Sequence, residues 1–214
     1  LITSGHTIEF IDSVRGIVNF STGQLGAAIA EAYSVCQEIT EITYISNFDA
    51  AQPKCPEYRR ISITNVASLS AAIDREIARQ PDIIIHAMAI SDFTPSAPIG
   101  GKLESAHSLD LRLIPTPKII TKYREAGSRA ILVGFKLLAN APHDELLAHA
   151  RALMAANGCD FVLANDLKNI APETHEAFLL STNGDIAHLI GKTAIARAIT
   201  AATLAKSVDS MTKF

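Results

Sequence analysis

Tryptophan is absent from this 214-residue chain, cysteine occurs three times, and charged residues make up only 19% against 48% apolar. Each scarcity excludes something. A formal net charge of −3 lacks the basic excess that marks a nucleic-acid binder. The apolar share is too high, and the net charge too low, for a disordered chain. Cys36, Cys55 and Cys159 are odd in number and show no C-x-x-C spacing, so they read as structural thiols of a reduced, cytoplasmic protein rather than a disulfide framework. No run reaches the roughly 18 apolar residues that span a bilayer. The opening Leu1-Ile2-Thr3-Ser4-Gly5 lacks the basic region of a signal peptide and reads as a strand entered partway, with a residue or more expected before it. The histidines do not cluster as metal ligands: His143 and His149 do not share a helix face, and His86 sits in a buried run as a core residue. Neither an internal repeat nor a linker rich in Pro, Gly or Ser divides the chain, so residues 1–214 read as one domain. A chain of this length buries about 70% of its unfolded surface and needs no staples.

What is present is an alternation of short apolar runs and helical patterns. Strands are expected at Leu1–Thr3, Ile42–Ile45, Arg60–Thr64, Ile83–Ile90, Ala130–Phe135 and Asp160–Ala164. Helices are expected at Gln24–Val35, Val66–Arg79, Pro117–Glu125, Pro142–Ala156 and Lys192–Ala205. Ala177–Ser181 and Ile186–Ile190 flank Asn183-Gly184, a strong hairpin signal. The pattern predicts an α/β fold, a Rossmann-like three-layer sandwich with a mainly parallel central sheet and a C-terminal hairpin. The segment Phe93–Leu113 fits neither period, and a loop of about 20 residues in a compact domain reads as a functional flap. Ligands of such sheets sit at strand carboxyl ends, which directs attention to the loops after Thr3, Ile90, Phe135 and Ala164.

Five constellations lie there. Ser4-Gly5-His6-Thr7 and Ser21-Thr22-Gly23-Gln24-Leu25-Gly26 combine a strand end with a helix start, where free amides and the helix dipole favour phosphate. About 15 residues separate strand from helix, and they hold Arg15 and Asn19, unlike a dinucleotide fingerprint whose glycines follow the strand directly. Asp92, after Ala87-Met88-Ala89-Ile90-Ser91, either caps a turn or holds Mg²⁺ or a substrate hydroxyl. Lys102 is the only basic residue between Arg79 and Arg112; it is either solvated or a mobile charge that meets a transition state on closure of the flap. Lys118 in Pro115-Thr116-Pro117-Lys118, and Phe135 and Lys136 in Gly134-Phe135-Lys136, form the fourth group. Asn165 in Ala164-Asn165-Asp166 either reads a base edge or belongs to a cap or Asx-turn.

In this order, over nearly the whole chain, these segments resemble phosphopantothenate–cysteine ligase, also called phosphopantothenoylcysteine synthetase, in its free-standing bacterial form. The most specific stretch is Arg15-x-x-x-Asn19-x-Ser21-Thr22-Gly23. The resemblance implies that 4′-phosphopantothenate and cysteine are joined through an acyl-cytidylate made from CTP, with release of pyrophosphate and then CMP, and with Mg²⁺ as cofactor. It implies that Asn19 holds the acyl intermediate, that Asp92 serves nucleotide and metal, and that Lys102 is the lysine of the flap. It further implies that Met88, Ala89, Ser21, Thr22 and Gly23 contact the acid substrate, while Gly5, Thr7, Lys118, Phe135, Lys136 and Asn165 contact the nucleotide. Arg15 matches an arginine that reaches the substrate across a homodimer interface. Membrane and nucleic-acid partners are not expected.

Two other readings compete. A short-chain-type NAD(P) oxidoreductase needs Tyr-x-x-x-Lys, but Tyr33, Tyr44, Tyr58 and Tyr123 are followed four places on by Gln37, Phe48, Ser62 and Gly127. A non-catalytic domain binding CTP or phosphopantothenate would not need Lys102 on a flap.

Overall fold

The apolar run that begins at Ile83 lies in the middle of the molecule because neither of its faces meets water. Ile84 and Ile85 are completely buried, one in the core layer on each side of the sheet. Each such side chain contributes roughly 1.5–3 kcal/mol of burial. The computed structural model describes residues 1–104, 108–171 and 174–211, the last three without their side chains.

The chain runs β1 (Ile2–Ser4), β2 (Ile8–Phe10), β3 (Gly16–Val18), α1 (Gln24–Ser34), β4 (Thr43–Ser46), β5 (Arg59–Ser62), α2 (Val66–Ile77), β6 (Ile83–His86) and β7 (Phe93–Pro95). It continues through β8 (Leu113–Pro115), α3 (Ile119–Glu125), β9 (Ile131–Leu138), α4 (His143–Asn157), β10 (Phe161–Ile170), β11 (His175–Ser181), β12 (Ile186–Ile190) and α5 (Lys192–Met211). The main sheet has eight strands in the order β12-β11-β10-β9-β6-β1-β4-β5. From β10 to β5 every neighbour is parallel, and β11 and β12 add an antiparallel edge. Ile29, Ala30 and Tyr33 of α1 pack with Ile195, Ala196 and Ile199 of α5 on one face. Leu69 and Ile73 of α2, Ile119 and Tyr123 of α3, and Leu146 and Leu147 of α4 cover the other. This is the expected three-layer, mainly parallel architecture, and the Asn183-Gly184 turn joins the expected hairpin.

The differences fall mainly where short elements escape periodicity. The run expected as a strand to Ile90 pairs as a strand only to His86. Beyond it the backbone turns to β1's continuation, with Ala89 N–H donating to Gly5 O and Thr7 N–H to Ala89 O. The loop after β1 contains a small hairpin, β2–β3, of three-residue strands too short to show alternation. The flap segment has a paired stem, because β7 and β8 are antiparallel partners joining Phe93 to Pro115. Residues 105–107 of that segment lie outside the described residues. Strands β9 and β10 run three and six residues past the expected ends at Phe135 and Ala164, pairing with each other as far as Leu138 and Asp166.

The parallel strands place β1 between β4 and β6, with chain order running outward in both directions. Between β1 and β6 lies the switch point, the crevice where doubly wound sheets bind ligands.

Candidate functional site

At the carboxyl end of β1 the chain must turn sharply, and Gly5 adopts a left-handed φ of 80°. A Cβ there would overlap the side-chain amide of Asn47. Gly26 lets α1 approach β1 closely, since a Cβ at that position would collide with the Ser4 hydroxyl. Gly23, at φ 73°, is the N-cap of α1 and provides no side-chain cap. Helix α2 shows the ordinary alternative: Asn65 and Ser68 form a capping box that satisfies its first amides.

The loop before α1 is held by its carbonyls. His6 Nδ1 donates to Ser21 O at 2.9 Å, Ala51 N–H to Thr22 O at 2.9 Å, and the Ser4 hydroxyl to Gly23 O at 3.1 Å. The side-chain amide of Asn19 donates to Ile90 O at 2.9 Å, tying the loop to the segment that follows β6. The amides of Ser21, Thr22, Gly23, Leu25 and Gly26 have no acceptor among the described residues, and Gln24 N–H has only a 3.5 Å contact to the Thr22 hydroxyl. Carbonyls inward and amides free at a helix start make an anion cradle.

Across the crevice, Asp92 and Lys118 form an ion pair at 2.5 Å, with both side chains more than half exposed. Thr116 N–H donates to Asp92 O, and the Thr116 hydroxyl to Ser91 O, which anchors the segment ahead of Lys118 to the loop after β6. Thr7 is completely buried, and its hydroxyl accepts from Ser91 N–H at 3.0 Å. Its side chain therefore builds the floor of the crevice. Met88 is likewise buried, packed in the core layer of α2 and α3, whereas Ala89 bridges β1's continuation.

The flap is docked on the β2–β3 turn. Asp12 accepts from the amides of Val14 and Arg15 at 2.7 Å and from Leu103 N–H at 3.0 Å. The Arg15 guanidinium is paired to Asp12 at 2.5 Å and also reaches Leu103 O at 3.3 Å. Ser13 and Gly101 exchange two further hydrogen bonds. The Leu103 amide, then those of Val14 and Arg15 and the Arg15 guanidinium, hold the Asp12 carboxyl down at about 2 against the pull of its burial. Lys102 lies beside this joint, exposed, with no partner among the described residues.

The remaining candidates lie further along the sheet. Lys136, half-buried on β9, also has no partner among the described residues. Phe135 packs against the α1–α5 core layer. Asn165, on β10, is buried and accepts from His175 Nε2 at 2.9 Å, a partner more than one strand beyond the crevice. Burial, and then nearby Lys192, lower the pKa of His175. The neighbouring Asp166 takes the capping role, accepting from Asn140 and Ala141 ahead of α4 and from Lys168. His86 is the satisfied core histidine expected: it bonds Tyr123 at 3.0 Å, and burial lowers its pKa to about 4. Sequence reasoning gave no role to His6, Asn47 or Asp49, whose association only the closure of β1 on β4 creates.

Among the described residues no group of three or more His, Cys, Asp or Glu could hold a metal ion. Asp92 offers one carboxylate, and one or two carboxylates are enough for Mg²⁺ where phosphate oxygens and water complete its shell.

Fold and crevice together define a doubly wound, Rossmann-like α/β domain whose glycine-rich helix start is open to an anion. The chain belongs to the family described as the DNA/pantothenate metabolism flavoprotein C-terminal domain, whose model matches residues 1–206. A coenzyme A biosynthesis bifunctional protein, CoaBC, of Thermococcus kodakarensis is 35% identical over 181 residues, covering 84% of this chain and 44% of the relative. Its namesake in Methanocaldococcus jannaschii is 36% identical over 167 residues, covering 78% and 40%. The chain thus spans less than half the length of these curated relatives. The crystal structure of the DNA/pantothenate metabolism flavoprotein from Streptococcus pneumoniae matches with a TM-score of 0.84 at 30% identity, covering 96% of this chain and 97% of that one. No helix among the described residues is long and apolar enough to cross a membrane.

Proposed function

We propose that this domain is a phosphopantothenate–cysteine ligase of coenzyme A biosynthesis, using CTP and Mg²⁺. The observation that carries the reading is the row of amides from Ser21 to Gly26, all without an acceptor among the described residues except for the 3.5 Å contact of Gln24, beside Asn19 and across the β1–β6 crevice from Asp92 and Lys118. The family membership and the relatives' role in coenzyme A biosynthesis support it.

In the first half-reaction a carboxylate oxygen of 4′-phosphopantothenate attacks the α-phosphorus of CTP, and the bond to pyrophosphate breaks. In the second, the amine nitrogen of cysteine attacks the acyl carbon, loses a proton, and expels CMP. The chain's part is to hold anions together and orient them. The amides of Ser21, Thr22 and Gly23 and the start of α1 bind phosphate oxygens, with Gly5 and Thr7 forming the floor. Lys118, Lys136 and Lys102 add positive charge, Lys102 from the flap. Phe135 borders the nucleotide, while the buried Asn165, bonded to His175, takes no part in this reading. Asn19 and Ala89 frame the acyl group, with the Asn19 amide oriented by Ile90 O and the side chain of Met88 left in the core. Mg²⁺, held by Asp92 and phosphate oxygens, would neutralise charge on the triphosphate.

A homodimer belongs to this reading. Val14 and Phe20, 64% and 96% exposed, leave apolar surface on the site loops themselves. Arg15, on the same hairpin, then lies where a second copy's site comes within reach. Sedimentation at micromolar concentration checks this, and a monomer would contradict it. Free thiols at all three cysteines suit a reducing, cytoplasmic setting.

The direct test is pyrophosphate release with 4′-phosphopantothenate and CTP or ATP, with and without cysteine. A ligase releases pyrophosphate with the acid present and forms CMP and product only when cysteine is added. Binding without release marks a sensor domain instead.

A further inference from the structure

We propose that His6 is a positioning residue of the anion cradle, acting through a relay that runs from Asp49 through Asn47 to the carbonyl of Ser21. The inference rests on the ligase reading for its kinetic consequence but not for its binding consequence.

The hydrogen-bond network assigns the tautomer. Ser21 O can only accept, so His6 Nδ1, 2.9 Å away, carries the proton. Nε2 is then a bare acceptor, and the Asn47 side-chain amide donates to it at 3.2 Å. The other end of Asn47 agrees, because its Oδ1 accepts the backbone N–H of His6 at 3.0 Å. Asn47 is completely buried at the carboxyl end of β4, and the Asp49 carboxylate accepts from the same Asn47 nitrogen. Asp49 Oδ1 lies 3.8 Å from His6 Nε2, too far to bond directly, so its influence passes through Asn47. The imidazole, its side chain only 13% exposed, thus has a fixed orientation and a fixed proton.

The consequence falls on the loop. A peptide plane with its carbonyl held inward presents the following amide outward, and Ser21 O is held by His6 alone. Without that bond the Ser21–Thr22 plane is free to rotate, and the Thr22 amide no longer points reliably into the crevice. The adjacent planes stay tied by Ala51 N–H and the Ser4 hydroxyl. The defect is therefore confined to one or two amides of the cradle. It weakens anion binding while leaving the fold alone.

The test compares three variants of the full chain. Asparagine presents an N–H where His Nδ1 was, glutamine presents one where Nε2 was, and phenylalanine presents none. Titration calorimetry with inorganic pyrophosphate and steady-state CTP kinetics are measured on each. His6→Phe and His6→Gln are expected to raise the pyrophosphate Kd and the CTP KM about tenfold, while the cysteine KM stays within twofold. His6→Asn is expected to remain within about threefold of wild type in every parameter. Wild-type affinity in His6→Phe, equal loss in His6→Asn and His6→Gln, or no pyrophosphate binding by the wild type would each overturn the inference. If His6→Phe does not fold, the Asn and Gln pair decides by itself. Pyrophosphate binding with the expected variant pattern, but no turnover with CTP or ATP, supports the role of His6 and sinks the ligase reading alone.

Discussion

At the amino ends of β4 and β5, Arg59 is bonded to Glu41 and Glu76, and Arg79 to the same two carboxylates, beside a cavity of about 210 Å³ that reaches Leu1 and Ile83. At the carboxyl ends of the sheet, Lys102 and Lys136 have no partner among the described residues, and the amides before α1 have no acceptor. A cavity thus lies at the end whose charges are already satisfied. Satisfied charges hold structure together, whereas unsatisfied ones await a ligand. The two ends should accordingly separate stability from activity.

Lys102→Gln breaks the comparison at its most sensitive point. On the proposed role of Lys102 as a charge that meets the transition state alone, its removal should lower kcat by about 10²–10³-fold. The CTP KM should stay within about threefold and the thermal midpoint within about 1 °C, because the side chain supports nothing in the fold. Steady-state pyrophosphate release and calorimetry check both, and wild-type turnover would remove Lys102 from the mechanism.

Glu76→Ala is the mirror experiment. It leaves Arg59 and Arg79 to share Glu41 beside a nearly buried position, and should cost about 1–2 kcal/mol in urea unfolding, less than breaking a fully buried pair because Glu41 still compensates the arginines and they are partly exposed. Activity per folded molecule should be unchanged. A loss of kcat without a loss of stability would reverse the assignment of the two ends.

His86 sharpens the boundary between them, since it stands at the carboxyl end of β6 yet serves the core. Burial holds its pKa near 4, below the ordinary 6.5 of an unfolded chain. The unfolded state therefore binds the proton first, so the stability is full above about 6.5 and is lost as pH falls toward 4. His175, also lowered, acts in the same direction. His86→Gln should flatten the difference in urea midpoint between pH 7 and pH 5, and an unchanged slope would contradict a neutral buried His86.

The smallest effect concerns the joint between hairpin and flap. The Asp12 carboxyl, lowered from 3.8 to about 2, gives a contribution present above 3.8 and lost as pH falls toward 2. Asp12→Asn should remove that acid-sensitive part and speed hydrogen exchange at the Leu103 and Gly101 amides, with little change in global unfolding. Exchange as slow as in the wild type would mean that the flap is docked by other contacts.

Long periodic segments were legible in the sequence because burial on one helical face or both sheet faces leaves a direct imprint on residue order. Helices α1 and α4 were expected within a residue at each end, and the hairpin turn at Asn183-Gly184 from its turn chemistry. Three-residue strands such as β2, β3, β7 and β8 leave no such imprint, so the hairpin and the stem of the flap were not seen. The crevice was located through the loops after β1 and β6, because a parallel sheet dictates where ligands sit. The Asp92–Lys118 pair and the docking of Leu103 on Asp12 and Arg15 were not, since in each case the partners come from separate loops.

What the sequence determined by itself is the order of elements, the three-layer class and the motif loops, all consequences of local propensity and apolar spacing. Only the tertiary structure decided which polar groups are spent and which are open. It gave Asn165 to His175, buried Thr7 beneath Ser91, placed Met88 in the core, and left the cradle amides unbonded. The physical reason is that a hydrogen bond is settled by ångström-scale proximity between residues far apart in the chain, and strand order brings those residues together. No spacing along the sequence records that His6 meets both Asn47 and Ser21.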